Sequence, residues 1–468
     1  MNRQTHLWPD YSEEQRKAAY AEGEGLRAYL SAGKTERLCV EETLRTAQEA
    51  GFVDLYGGSV TRLKPGDRVY VNNHGKSLLL FSVGQKPVSE GMNIVGAHVD
   101  CPHVDLKLNP FYEAHGLTLG KTHYYGSIRK YQWISQPLSL IGVICKKDGG
   151  TVRVSVGEQP GEPAFCFTDL PPHLAKDQGA KPLRDAITGE DLNALMGALP
   201  ADAPDEGGNK AEKAFVQHLH ALFAERYGVS EDDFLSAELQ LTPSGPARDA
   251  GLDASMVMGF GQDDKTSAYA AVRGMLRLPK QHARCAAVLL VDKEEIGSFG
   301  NTGMRSRFFE NAVARIIALT GEDNRDGAFR AGMANSLMLS ADVNIAYDPS
   351  HAEVSDERNA AYLGRGLAFN KYVGSAGKSG TSDANAEFVA LLRRIFDEGD
   401  VAYHFAELGK VDQGGGGTIS HIMAEYNMQV IDCGVPVLSV HAPWEISHKA
   451  DVYESVKAYA CFFEKAVP

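Results

Sequence analysis

Residues 285–297 read CAAVLLVDKEEIG: seven apolar residues, three carboxylates within the next four positions, then a glycine. An apolar run of that length between polar neighbours reads as a strand buried on both faces, as in a parallel sheet covered by helices. Acids crowded where such a strand leaves the core are costly unless they are paired or hold a metal. Asp292, Glu294 and Glu295 therefore form either a solvated turn or a site in which one glutamate holds a metal and its neighbour handles protons.

Working outward, the same arrangement recurs. Asn93–His98 (NIVGAH) is short and apolar and ends in His98-Val99-Asp100; Ser336–Ala341 (SLMLSA) ends in Asp342; Val437–Val440 ends in His441. Helical patterns separate these strands: Asp264–Arg277, Arg305–Ala314, a stretch to Arg394 starting at Thr381 or Ser382, and Ala450–Glu464. Before them come a helix after Ser12, whose spacing to Gln15 is that of a capping box, a helix over Thr35–Ala50 closed by Gly51, and a strand over Ser77–Val83. Strands alternating with helices predict an α/β fold with a mostly parallel sheet and helices on both faces.

The middle of the chain breaks this rhythm. From Asp148 to Gly251 it gathers Gly, Pro, Asp and Glu, as in LPADAPDEGGNKAEK over 199–213, with a strand-like piece at Thr151–Val156 and a helical stretch at Ala211–Arg226. It reads as an insertion, giving a first catalytic part over 1–105, an inserted domain over 106–251 and a second catalytic part over 252–468. The whole has 468 residues, enough for two to three domains.

Composition narrows the classes. With 47 basic and 61 acidic residues the formal charge is −14, which argues against a binder of nucleic-acid backbones. No apolar run approaches the ~20 residues of a membrane helix. Seven scattered cysteines without a CxxC, and an N-terminus with no basic start before an apolar stretch, lead to the expectation of a cytoplasmic protein with reduced thiols. Common sites fail on spacing. Gly377-Lys378-Ser379 resembles the end of a phosphate loop, but Tyr372 stands where its first glycine belongs. There is no HExxH and no GxSxG, and no lysine follows Gly414–Gly417.

The remaining chemistry lies in imidazoles and carboxylates. In His98-Val99-Asp100 alternate side chains share a face, so the imidazole can bind a metal while the carboxylate braces it, although HxD alone reads more readily as a surface polar pair. Asp263-Asp264 opens a helix after Gly261, as a cap or as a carboxylate bridging two cations. Ligand-type residues at several strand ends suit a two-zinc site that activates water, because the crevice of an open α/β sheet lies beyond the carboxyl ends of its strands.

GAHVDCP, GQDDK, VDKEEIGS, SADVNIAYDP, GGGGTIS and LSVHAPWE, in this order from residue 96 onward, resemble the signature blocks of the aspartyl aminopeptidase family of dinuclear zinc metallo-aminopeptidases. The resemblance implies a three-layer α/β/α peptidase domain interrupted by a β-rich dimerisation domain, two divalent ions (zinc first among the choices), peptide substrates, and dimers assembling to dodecamers, with no nucleic-acid or membrane partner. It implies metal ligation by His98, Asp263, Glu295, Asp342 and His441, with Asp263 bridging. Asp100 would orient His98, and Glu294 would be the general base. His173, in Leu170–Leu174, would reach a neighbour's site, and Lys371 or Lys378 would receive an acidic N-terminal side chain. Asp264 stands where the family usually has asparagine, and Gly261 where it usually has arginine. The alternatives are a co-catalytic zinc carboxypeptidase or amidohydrolase of similar architecture, and an inactive oligomeric scaffold.

Overall fold

The computed structural model describes residues 5–201 and 213–467. Packing divides the chain into two units. The first is Met1–Cys101 with Ala247–Val440 and Trp444–Pro468; the second is Pro102–Pro246 with His441–Pro443.

The first unit is built on a nine-stranded sheet. From one edge to the other its strands are Val53–Asp54, Arg68–Asn73, Ser77–Ser82, Cys285–Val291, Met92–His98, Leu337–Ala341, Gln429–Gly434, Leu367–Asn370 and Tyr403–Phe405. The strand Cys285–Val291 is thus central. It pairs parallel to Met92–His98 and antiparallel to Ser77–Ser82, and every residue from Cys285 to Val291 is buried. Two apolar cores lie on the two faces. One joins alternate strand residues such as Val95, Val288 and Leu339 to the helices Glu13–Ala32, Gln262–Arg277, Ala386–Glu398 and Lys449–Lys465. The other joins Ile94, Leu289 and Met338 to Phe308–Thr320. Each fully buried Val or Leu contributes about 1.5–3 kcal/mol, and alternation along one strand feeds both cores. The architecture is the expected α/β/α arrangement.

Local signals act as read. Ser12 and Gln15 form the reciprocal capping box, and Thr35 caps Glu36–Glu49. Three boundaries differ. The helix expected from Thr381 or Ser382 begins at Ala386, because the Thr381 hydroxyl accepts the Val373 N–H and Asp383 turns left-handed to meet two lysines. The helix expected from Arg305 starts at Phe308, since the Arg305 N–H is spent on the Ser298 carbonyl. The strand before His441 ends at Leu438, where Ser439 and His441 take left-handed backbone conformations. A third, five-stranded sheet contains Met256–Gly259 paired with Glu445–His448.

The second unit is an antiparallel six-stranded sheet ordered Thr151–Val156, Leu138–Cys145, Ala237–Pro243, His103–Ala114, Leu117–Tyr125, Asn193–Gly197. Its helix runs Ala214–Tyr227; the start expected at Ala211 lies outside the described residues. Phe223 of this helix packs against Phe111 and Phe234.

Candidate metal centre

Three parallel neighbours in the first unit end side by side. His98 is in register with Val291, so the acids after Val291 begin level with the imidazole; Ser340, two residues before Asp342, pairs with Gly96. Asp342 is seated by its N–H on the Cys433 carbonyl. The neighbouring strand comes so close that a Cβ at Gly434 would lie 1.8 Å from the Asp342 carbonyl oxygen, so only glycine fits.

Asp263 arrives from the small sheet. Gly261, left-handed at φ 70°, starts the Gln262–Arg277 segment, and Asp263 and Asp264 are non-helical and make no cap. Glu445 holds this turn: its Oε2 accepts the Asp263 N–H at 3.1 Å, and its carbonyl accepts Gln262 Nε2 at 2.6 Å. Glu445 was not singled out from sequence, although it lies in the LSVHAPWE block at the start of an alternating strand.

Around His98 the contacts are close. Nε2 lies 3.2 Å from Asp263 Oδ1, Nδ1 3.0 Å from the Asp100 carbonyl and 3.4 Å from its Oδ1, and the His98 N–H donates to Asp264 Oδ2 at 3.2 Å. Ligand atoms of His98, Asp263 and Asp342 lie within 4.8 Å of one another, as do those of Asp263 and Glu295. Asp100 serves the neighbouring turn: Oδ1 accepts the Glu294 N–H at 3.1 Å and Oδ2 the Glu295 N–H at 3.2 Å. The two glutamates open a short 3₁₀ turn between left-handed Lys293 and Gly297.

Electrostatics show what this cluster asks for. Burial disfavours a charged His98, but hydrogen bonds to Asp100 and Asp263 outweigh it and hold the imidazole well above its ordinary range. Burial, then the charges of Asp263 and Asp264, push Asp342 well above the usual carboxylate range. Burial does the same for Asp264, with Asp263 adding to it. Crowded carboxylates that resist ionisation together, with an imidazole among them, form a donor set suited to a divalent cation. The mixed N and O donors suit zinc better than calcium or magnesium.

Among the remaining expected residues, His441, Lys371 and Lys378 have partners of their own. His441 packs with the second unit, where its Nδ1 is 3.1 Å from the Ser127 carbonyl. Donation there leaves Nε2 as the lone-pair nitrogen. His173 is on an exposed turn of the second unit. Lys371 and Lys378 both bind Asp383, at 2.7 and 3.3 Å, and Lys378 also sits 3.7 Å above the Tyr372 ring.

Comparison with known proteins gives this geometry its family. The family model described as aminopeptidase I zinc metalloprotease (M18) matches residues 29–463. A protein of Clostridium acetobutylicum named a probable M18 family aminopeptidase 1 is 50% identical over 461 residues, covering 98% of this chain and 97% of its own. The crystal structure of an M18 aminopeptidase from Thermotoga maritima superposes with a TM-score of 0.92 at 37% identity, covering both chains completely. The fold also matches the mApe1 dodecamer of S. cerevisiae at a TM-score of 0.76 and 21% identity, covering 94% of this chain and 96% of that one. The chain belongs to the M18 family of aminopeptidase I zinc metalloproteases, and its activity is the zinc-dependent hydrolysis of peptide bonds as an aminopeptidase.

Proposed function

We propose that the enzyme releases N-terminal residues with a pair of zinc ions that His98, Asp263, Asp342, Glu295 and His441 would hold. The observation that carries this reading is the Asp100 carboxylate. It fixes the backbone of both Glu294 and Glu295 while bordering the His98 ring, so ligand and base are held in one frame. When bound, the ions supply Lewis-acid polarisation of the scissile carbonyl and a more acidic water. Glu294 accepts that water's proton and returns it to the departing amine nitrogen, acting as base and then as acid. Asp100 keeps its side chain in reach by anchoring the turn. The half-buried setting of Glu294 suits a group that must exchange protons.

The finer properties follow the family resemblance. A homo-oligomer, a dimer growing to a dodecamer, is supported by the exposed Leu170 and Leu174, which flank His173 in the sequence. His173 would then serve a neighbour's site in a cytoplasmic assembly. Lys371 and Lys378 would favour an acidic N-terminal side chain, with Asp383 as the anion that the substrate displaces.

Glu294→Gln tests the core of the proposal. Zinc content by elemental analysis should stay at the wild-type level while kcat falls by about 10²–10⁴. Chelation of the wild type should abolish turnover, and zinc should restore it. Near-wild-type kcat in Glu294→Gln would remove Glu294 from its role.

A further inference from the structure

The turn that carries the two glutamates also carries two large apolar side chains that the core does not use. Ile296 is 50% exposed and Phe299 is 69% exposed, two and five residues beyond Glu294. They are not on a slack loop. Lys293, Gly297, Ser298 and Gly300 are all left-handed. The carbonyl of Lys293 accepts the N–H groups of Ile296 and Ser298, the carbonyl of Ser298 accepts that of Arg305, and Thr302 donates its hydroxyl to the buried Asp292. Gly303 lies so close to Ser298 that a Cβ would be 2.3 Å from its carbonyl oxygen. A turn tied this tightly presents its side chains in fixed directions, and presenting Ile296 and Phe299 to water has a standing cost. Arg305 lies over the Phe299 ring at 5.1 Å and contacts His421 Nε2 at 3.0 Å, which adds a cationic border.

Direction follows from the chemistry. The group that returns the proton to the leaving amine must be beside that nitrogen at the moment of cleavage. Residues fixed to the same turn therefore border the part of the substrate beginning with that nitrogen, not the released N-terminal residue. We propose that Ile296 and Phe299 form the subsite for the second residue of the peptide, and that this subsite selects an apolar side chain. The inference rests on Glu294 being the proton carrier and adds a specificity to it.

The test uses tripeptides of constant first and third residue, Leu-Xaa-Gly, with Leu, Phe, Gly or Asp in the second position. The wild type should favour Leu or Phe over Gly by about 10-fold in kcat/KM, mostly through KM. Ile296→Ser with Phe299→Ala should bring that ratio close to one, and Phe299→Leu should restore most of it. A wild type indifferent to the second residue, or a ratio unchanged in the double variant, overturns the inference. So does an unchanged ratio accompanied by a shift in sedimentation, which would assign the face to a second copy of the chain. Failure of the underlying reading shows separately, as an active Glu294→Gln enzyme.

Discussion

Asp100→Asn would separate the frame of the site from its ligands. The native carboxylate accepts two backbone N–H groups at 3.1 and 3.2 Å from adjacent residues, one on each oxygen, and is itself buried. Asparagine has nearly the same shape, but only one of its two heads accepts. One N–H keeps a neutral acceptor; the other faces an NH₂ group and loses its partner. Trading charged for neutral hydrogen bonding costs roughly 1.5–3 kcal/mol, and a buried donor left unmade costs roughly 1–3 kcal/mol more. The total, roughly 2.5–6 kcal/mol, falls on the turn that positions Glu294 and Glu295. At about 1.4 kcal/mol per decade, kcat/KM should fall by about 10² to 10⁴. The assay is steady-state hydrolysis of an aminoacyl reporter, with zinc content and thermal midpoint measured on the same samples. Because no metal ligand is changed, at least one ion should be retained. A variant within a few-fold of wild type would refute the argument that Asp100 acts through the backbone of the two glutamates.

Further outcomes follow from other parts of the molecule. Mixing inactive Glu294→Gln subunits with inactive His173→Ala subunits should recover part of the activity, measured after dissociation and reassembly; a fully active monomer would contradict a shared site. Lys378→Met should reduce the preference for Asp over Leu reporters by about 10-fold or more, and a wild type that prefers neutral residues would dispose of the acidic pocket. Acid stability should depend on His404 and His448, which burial, with Arg365 beside the first and His6 beside the second, lowers from 6.5 to about 4. Both are neutral in the folded chain, so the unfolded state binds more protons between these values. Stability is therefore full above about pH 6.5 and is lost as pH falls toward 4, by at most about 3 kcal/mol for each residue. Thermal midpoints measured from pH 7 to 4 should decline less steeply in His404→Gln and His448→Asn, and an unchanged slope would show that other groups govern acid unfolding.

The centre of the fold was legible because its strands are extreme: runs such as CAAVLLV and SLML cannot be solvated, and their carboxyl ends announce where chemistry can sit. His98, Asp342 and the paired glutamates stand out in the sequence for that reason. Asp263 was found as a residue type, but its backbone was not, since an Asp-Asp pair before a helical pattern looks the same whether it caps or diverges. Glu445 escaped because its role lies in a contact across 182 residues, which no local period records. The helix near 381 was misplaced because tertiary partners of Thr381 and Asp383 outcompete a local start signal. His441 looked like a strand end, yet left-handed turns at Ser439 and His441 carry it to the second unit, and nothing in VLSVHAP marks that change of direction.

The strand order of the large sheet has a consequence for how the chain is made. Met92–His98 emerges from synthesis early, but both of its lateral partners, Cys285–Val291 and Leu337–Ala341, lie beyond the second unit in the sequence. Until roughly three quarters of the chain exists, this strand, wholly buried in the fold, has two bare edges, the kind that pair indiscriminately with other chains. Sheet closure therefore waits on contacts of very long sequence separation, which makes folding slow and aggregation its chief competitor. The second unit, whose strands are supplied by one contiguous stretch, can close first. The proposed ligands are divided by the same gap: His98 comes before it, and Asp263, Glu295 and Asp342 after it. A nascent chain consequently has no metal site to fill until its sheet is closed.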